Sequence, residues 1–119
     1  MNVMKTLAAL LALGLGALGL AQSSDPAVIK KLEKDYVASK QAFAKAPKNK
    51  KVRDAFVRAG VRFGHESMVS PVLGTSVKYK QALRVYREVL KVDPTNPVAK
   101  KESDLIISIY KSMGRPVPK

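Results

Sequence analysis

The stretch YKQALRVYREVLKVDPTN, Tyr79–Asn96, decides how this chain folds. Ala82, Val85, Tyr86, Val89 and Leu90 recur at three- and four-residue spacing, which puts them on one face of a helix. Asp93-Pro94 ends that helix, because proline disfavours helical dihedrals in the residue before it. A short amphipathic helix stopped this sharply needs a neighbour for its apolar face, and a short turn makes that neighbour antiparallel.

Working outward, the same grammar recurs. A fourth helix opens at Asn96-Pro97, a cap followed by proline at the first helical position. It carries Ala99, Leu105, Ile106, Ile109, Tyr110 and Met113, and it ends at Gly114 with Pro116 beyond. The first helix opens at Asp25-Pro26, carries Ile29, Leu32, Tyr36 and Phe43, and stops before Pro47. The second is expected from Lys50 to Glu66, with Val52, Phe56, Ala59 and Phe63 as its stripe. Ala55 and Gly60 allow close approach of a neighbour, and Gly64 is expected to weaken the helix end. Between Ser67 and Lys78 lie Pro71 and Gly74 together with Met68, Val69, Val72, Leu73 and Val77. That mixture predicts a long ordered loop folded back over the helices. The third helix is expected from Val77 to Val92, and the tail RPVPK is expected to be extended and partly loose. No strand signal competes, so the fold class is all-α: four antiparallel helices and one ordered loop.

One unit is used twice. FAKAPKNKKV from Phe43 aligns with LKVDPTNPVA from Leu90, so that Pro47 falls on Pro94, Asn49 on Asn96 and Phe63 on Tyr110. Tyr79, Ala82, Tyr86, Leu90, Asp93-Pro94 and Asn96 resemble the second helix and closing turn of a tetratricopeptide repeat. Ala59, Gly60 and Phe63, and later Tyr110 with Met113-Gly114, resemble the first helix of that family. The resemblance spans Asp25 to Gly114 and is tightest over Tyr79–Asn96. It departs in period, which is longer here than the family's roughly 34 residues. It departs also in length: the chain holds a lone second-type helix, one full pair and a lone first-type helix. The resemblance implies a protein–protein or peptide interaction module without catalytic activity. The family's carboxylate-gripping residues are absent, since the first-type helices offer Asp54, Val57, Val61 and Gly64, then Lys101, Asp104, Ser108 and Lys111.

The N-terminus adds an address. MNVMKT carries one Lys and no acid, the apolar run LAALLALGLGALGL follows, and Gly19-Leu20-Ala21 is a small-residue exit. Residues 1–21 read as a secretory signal peptide cleaved after Ala21, with 22–27 a leader, 28–114 the helical domain and 115–119 a tail. The alternative is an uncleaved membrane anchor, but Thr6–Ala21 is shorter than the roughly 20 residues a spanning helix needs. The expected location is periplasmic or extracellular. With no Cys among 119 residues, disulfides, thiolate catalysis and zinc–thiolate sites are excluded.

The 22 Lys and Arg against 9 Asp and Glu give a net charge of +13, and removing residues 1–21 takes away one Lys and no acid. The densest basic run, Lys48, Lys50, Lys51, Arg53, Arg58 and Arg62, reads either as an anion-binding surface or as a solvated helix face. Lys31/Asp35, Arg84/Glu88 and Lys100/Asp104 stand four apart, the spacing of helical ion pairs. His65 is the only His and lacks the company a metal site needs. Glu33/Asp35 and Glu102/Asp104 sit two apart, on different helix faces, so neither pair converges for acid–base work. No catalytic, cofactor or metal residue is assigned. Nucleic acid is not expected as a partner, because the aromatics have core positions to fill. Leu105, Ile107, Met68 and Leu73 form the expected partner surface, for a protein, a peptide or a second copy, with Ile107 outside the stripe of the last helix. The second reading is a cationic envelope-associated protein on anionic cell-wall polymer or lipid headgroups.

Overall fold

In a computed structural model, residues 25–119 are described and fold into four α-helices, with no strand among them. The proposed signal segment and its cleavage point lie outside the described residues. The helices are α1 (Pro26–Lys45), α2 (Lys50–Met68), α3 (Thr75–Val92) and α4 (Pro97–Ser112). The all-α, four-helix expectation is borne out.

Local chemistry sets the helix starts. Asp25 caps α1 by accepting from the Ala27 N–H, and Asn49 and Asn96 accept from the N–H groups of Val52 and Ala99. These bonds satisfy amides that a helix start otherwise leaves unpaired. At the far end of α4, Gly114 adopts φ +64°. The Arg115 N–H then reaches the Tyr110 carbonyl and the Gly114 N–H reaches Lys111, a Schellman closure that favours glycine there.

Each helix packs chiefly on the next in sequence. The α2–α3 contact is the most extensive, α1–α2 and α3–α4 follow, and α2 touches α4 only slightly. Ile29, Leu32, Tyr36, Phe56, Phe63 and Val85 form one buried cluster, with Tyr36 and Phe43 both stacked on Phe56. Ala82, Leu83, Tyr86, Val89, Ala99 and Ile106 form the second. Gly60 and Gly64 make the α2–α3 approach close: a Cβ on Gly60 would meet Val89 Cγ2 at 2.5 Å, and one on Gly64 would meet the Tyr86 ring at 2.7 Å.

Several expectations are corrected. Helix α2 runs two residues past Glu66, and Gly64 lies within it, selected by the Tyr86 ring rather than marking an end. Helix α3 begins at Thr75, so the expected long loop shrinks to residues 69–74. Ser67, placed in that loop, is a buried helical residue that accepts from Gln81 Nε2. The tail is held, with Arg87 donating to the Pro118 carbonyl and Val117 packed on the second cluster. Ile107 faces the core, and Leu105 is the residue left outside. The register explains this: Ala99, Ser103, Ile106 and Tyr110 define the inward stripe, and Ile107 falls beside Ser103 on it.

Candidate functional site: a groove between α2 and α4

Because α2 and α4 both lean on α3 and barely on each other, a groove opens between them. Its volume is about 540 Å³, and its walls are mainly apolar: Val57 and Val61 from α2, Pro97 and Val98 from α4. The Asn96 cap and the proline behind it fix where α4 begins, and so set the position of the Val98 wall. Arg58 and Arg62 stand one helical turn apart on the rim, both exposed. Like charges at that spacing oppose each other, so an anionic group between them would relieve the repulsion.

The floor is tied by a short polar chain. His65 Nδ1 on α2 lies 2.7 Å from Glu102 Oε1 on α4, and the Tyr86 hydroxyl on α3 donates to Glu102 Oε2. Three helices meet at this one carboxylate. Burial, and then the hydrogen bond to Glu102, pushes the Tyr86 phenol well above the ordinary tyrosine range. A second tie lies on the opposite side, where Tyr36 on α1 donates to Glu88 on α3 and Lys40 Nζ sits 2.7 Å from the same carboxylate. Burial and Glu88 together push the Tyr36 phenol up. Burial alone would raise Glu88, but the bonds from Lys40 and Tyr36 outweigh it and hold the carboxyl below its usual range. Phenols held protonated in this way are steady donors to carboxylates, which suits them to fixing helix positions.

The residues proposed from sequence separate into groups. Ala82, Tyr86, Gly60 and Phe63 are buried at the helix interfaces, and Tyr79, Leu90 and Tyr110 are half-buried against the second cluster. Ala59 is half-buried, Pro94 is exposed in the turn and Asn96 is the cap. Of the expected partner surface, only Leu105 is exposed. Met68 on α2 and Ile107 on α4 pack on the second cluster and Leu73 of the connector packs on the first. The basic run is not one patch. Lys48, Lys50, Lys51 and Arg53 crowd the start of α2, where Lys50 pairs with Asp54 at 2.6 Å, whereas Arg58 and Arg62 line the groove.

Lys31–Asp35 and Lys100–Asp104 pair as spaced. Among the described residues Arg84 and Glu88 form no ion pair, because Lys40 from α1 takes Glu88. His65 stands exposed on α2. Sequence reasoning missed both tyrosine–carboxylate ties. A signal for Glu102 was present: it lies three residues after Ala99 and four before Ile106, on the flank of the inward stripe. Among the described residues no three His, Asp or Glu side chains gather as a metal-holding group, and no helix is long and apolar enough to cross a membrane.

No protein-family model matches this chain, no curated protein matches it, and no solved structure matches it.

Proposed function

We propose that this is an exported, tetratricopeptide-like interaction module that binds a protein or peptide in the α2–α4 groove and performs no chemistry of its own. The observation that carries the reading is the groove itself: valine and proline walls, open to solvent, with Arg58 and Arg62 along one rim. The serial packing of α1 to α4, the Pro–Asn corners and the Tyr79–Asn96 motif support the repeat-like part of the reading. The N-terminal apolar run supports export.

The test is site-directed photo-crosslinking from position 98 in cells, with position 37 as the control, since Val37 is equally exposed but on α1. A discrete adduct from position 98, lost on Val61→Lys in a protein that melts normally, is the expected result. Crosslinking no stronger from position 98 than from position 37 would overturn the groove as the binding site.

A second reading has its own observation behind it. Among the described Lys and Arg side chains only Lys31, Lys40, Lys50 and Lys100 pair with carboxylates, so most of the basic excess is not used inside the fold. A cationic envelope protein held by anionic polymer or lipid headgroups would use it. Salt separates the two, because charge-driven attachment weakens steeply with ionic strength and apolar docking does not.

A further inference from the structure

The α2–α3 connector combines three features that the groove does not use. Val69 and Val72 within it, and Val77 just past it, are 52%, 44% and 50% exposed. They are not loose. Ser70 is buried, and its hydroxyl accepts from the N–H groups of both Val72 and Leu73. Leu73 packs inward on the first cluster while the valines are held outward. The second feature is charge: from Ser67 to Arg87 there is no Asp or Glu, while Lys78, Lys80, Arg84 and Arg87 all fall there. Val77, Lys80 and Arg84 line one shallow depression, so the valine that opens α3 shares a face with two of these cations. The third is direction. Helix α1 packs on α2 across the short turn at residues 46–49, so it runs antiparallel and its start lies at the connector's end of α2.

We propose that this pole docks on an anionic lipid bilayer, with Val69, Val72 and Val77 entering the headgroup–acyl boundary and Lys80 and Arg84 meeting phosphates behind them. The inference deepens the second reading above by giving its anionic partner a place and a chemistry. Charge complementarity selects the occupant. An apolar tip backed by cations, on a segment without acids from Ser67 to Arg87, is the pattern of an interfacial anchor. A soluble polyanion would use the cations and leave the valines idle. A second copy of so basic a chain would be repelled. Tyr79 sits between the two lysines, half-buried, with the Lys78 ammonium 5.3 Å from its ring centre, and aromatic rings favour the depth of lipid headgroups.

The test is sedimentation with vesicles of phosphatidylglycerol mixed with phosphatidylcholine, against phosphatidylcholine alone and against soluble polyphosphate. The full chain and the Gln22–Lys119 form, which contains both buried clusters complete, are measured in parallel. Residues 1–21 contribute equally to every full-chain variant and cancel in the ratios. Replacing the three valines by Ser is expected to weaken vesicle binding roughly tenfold, from the apolar surface withdrawn. Lys80→Gln with Arg84→Gln is expected to cost about fivefold per charge. Lys48→Gln with Lys51→Gln removes equal charge at the other end of α2 and is expected to cost less than about twofold, since screening is strong beyond about 10 Å. Equal losses from both poles, or vesicle binding indifferent to the valines, would overturn the proposal. Binding to polyphosphate alone would overturn it too, while leaving the broader cationic reading standing.

Discussion

Gly64→Ala tests the geometry on which the fold depends. In an exposed helix this change stabilises by about 1 kcal/mol, because alanine is the better helix former. Here the added methyl would stand 2.7 Å from Tyr86 Cε1 and 2.9 Å from Cζ, closer than carbon atoms approach. The ring has little room to retreat: it is fully buried, and its hydroxyl is bound to Glu102. Overpacking costs about 1–3 kcal/mol. Displacing the ring also strains a hydrogen bond to a charged group, worth about 1.5–3 kcal/mol. The propensity gain offsets part of this, leaving a net loss of about 2 kcal/mol. For a domain of this size that lowers Tm by roughly 8–16 °C. Urea unfolding, with a thermal melt beside it, measures the loss. Tyr86→Leu removes the clashing ring atoms, so in that background Gly64→Ala should be neutral or stabilising, a coupling of about 2 kcal/mol. Gly74→Ser, at a cap with open space around its Cβ, is the control and should move stability by only a few tenths of a kcal/mol. A Gly64→Ala protein more stable than the parent, or one equally destabilised in both backgrounds, would show that α2 and α3 do not meet as described.

The two tyrosine–carboxylate ties make pH dependence a further check. Both phenols are raised in the folded state, so their contribution is complete below the ordinary tyrosine pKa of about 10 and is lost as pH rises above it. The urea midpoint should fall in that alkaline range, and Tyr36→Phe with Tyr86→Phe should flatten the fall; an unchanged slope would refute the assignment. Glu88 is depressed, so its contribution is present above the ordinary glutamate pKa of about 4.3 and disappears as pH falls through the folded value. Glu88→Gln should cost about 1–2 kcal/mol at neutral pH and make acid unfolding shallower; equal acid sensitivity in parent and variant would count against the Lys40–Glu88–Tyr36 tie.

The corners of the fold were legible because caps are local. Asn49 and Asn96 need only the backbone two or three residues on, so the sequence alone locates them. Gly60 is legible as a close-approach residue, yet Gly64, one turn later, reads from sequence only as a residue that weakens the end of the helix. Nothing local distinguishes the two, and only the position of Tyr86 on another helix gives Gly64 its role. The connector was overestimated for a related reason. Pro71 and Gly74 mark where a helix cannot continue but not how near the neighbouring helices come, and Ser67 and Thr75 turned out helical. The groove could not be read at all, because it is the space left when two helices share a third. Its rim residues, Arg58 and Arg62, stand out in the sequence by charge, and Val57 and Val61 only as first-type-helix positions that lack gripping side chains, while Val98 carries no signal apart from its place in three dimensions.

What remains is the charge, which the fold does not explain. None of the four described helices has an acid in its first turn, and Lys50 and Lys51 sit at the positive end of α2, where cations are unfavourable. The four Lys–carboxylate pairs involve half-exposed or exposed lysines, and such pairs contribute tenths of a kcal/mol. Stability therefore rests on the two apolar clusters and the tyrosine ties, and the basic excess acts against it. Charge that the fold does not use is free for the anionic bilayer proposed above. The groove and the connector pole share no residue, so a peptide in the first and a bilayer at the second could be held at the same time. A chain built that way would present a captured partner beside a membrane surface.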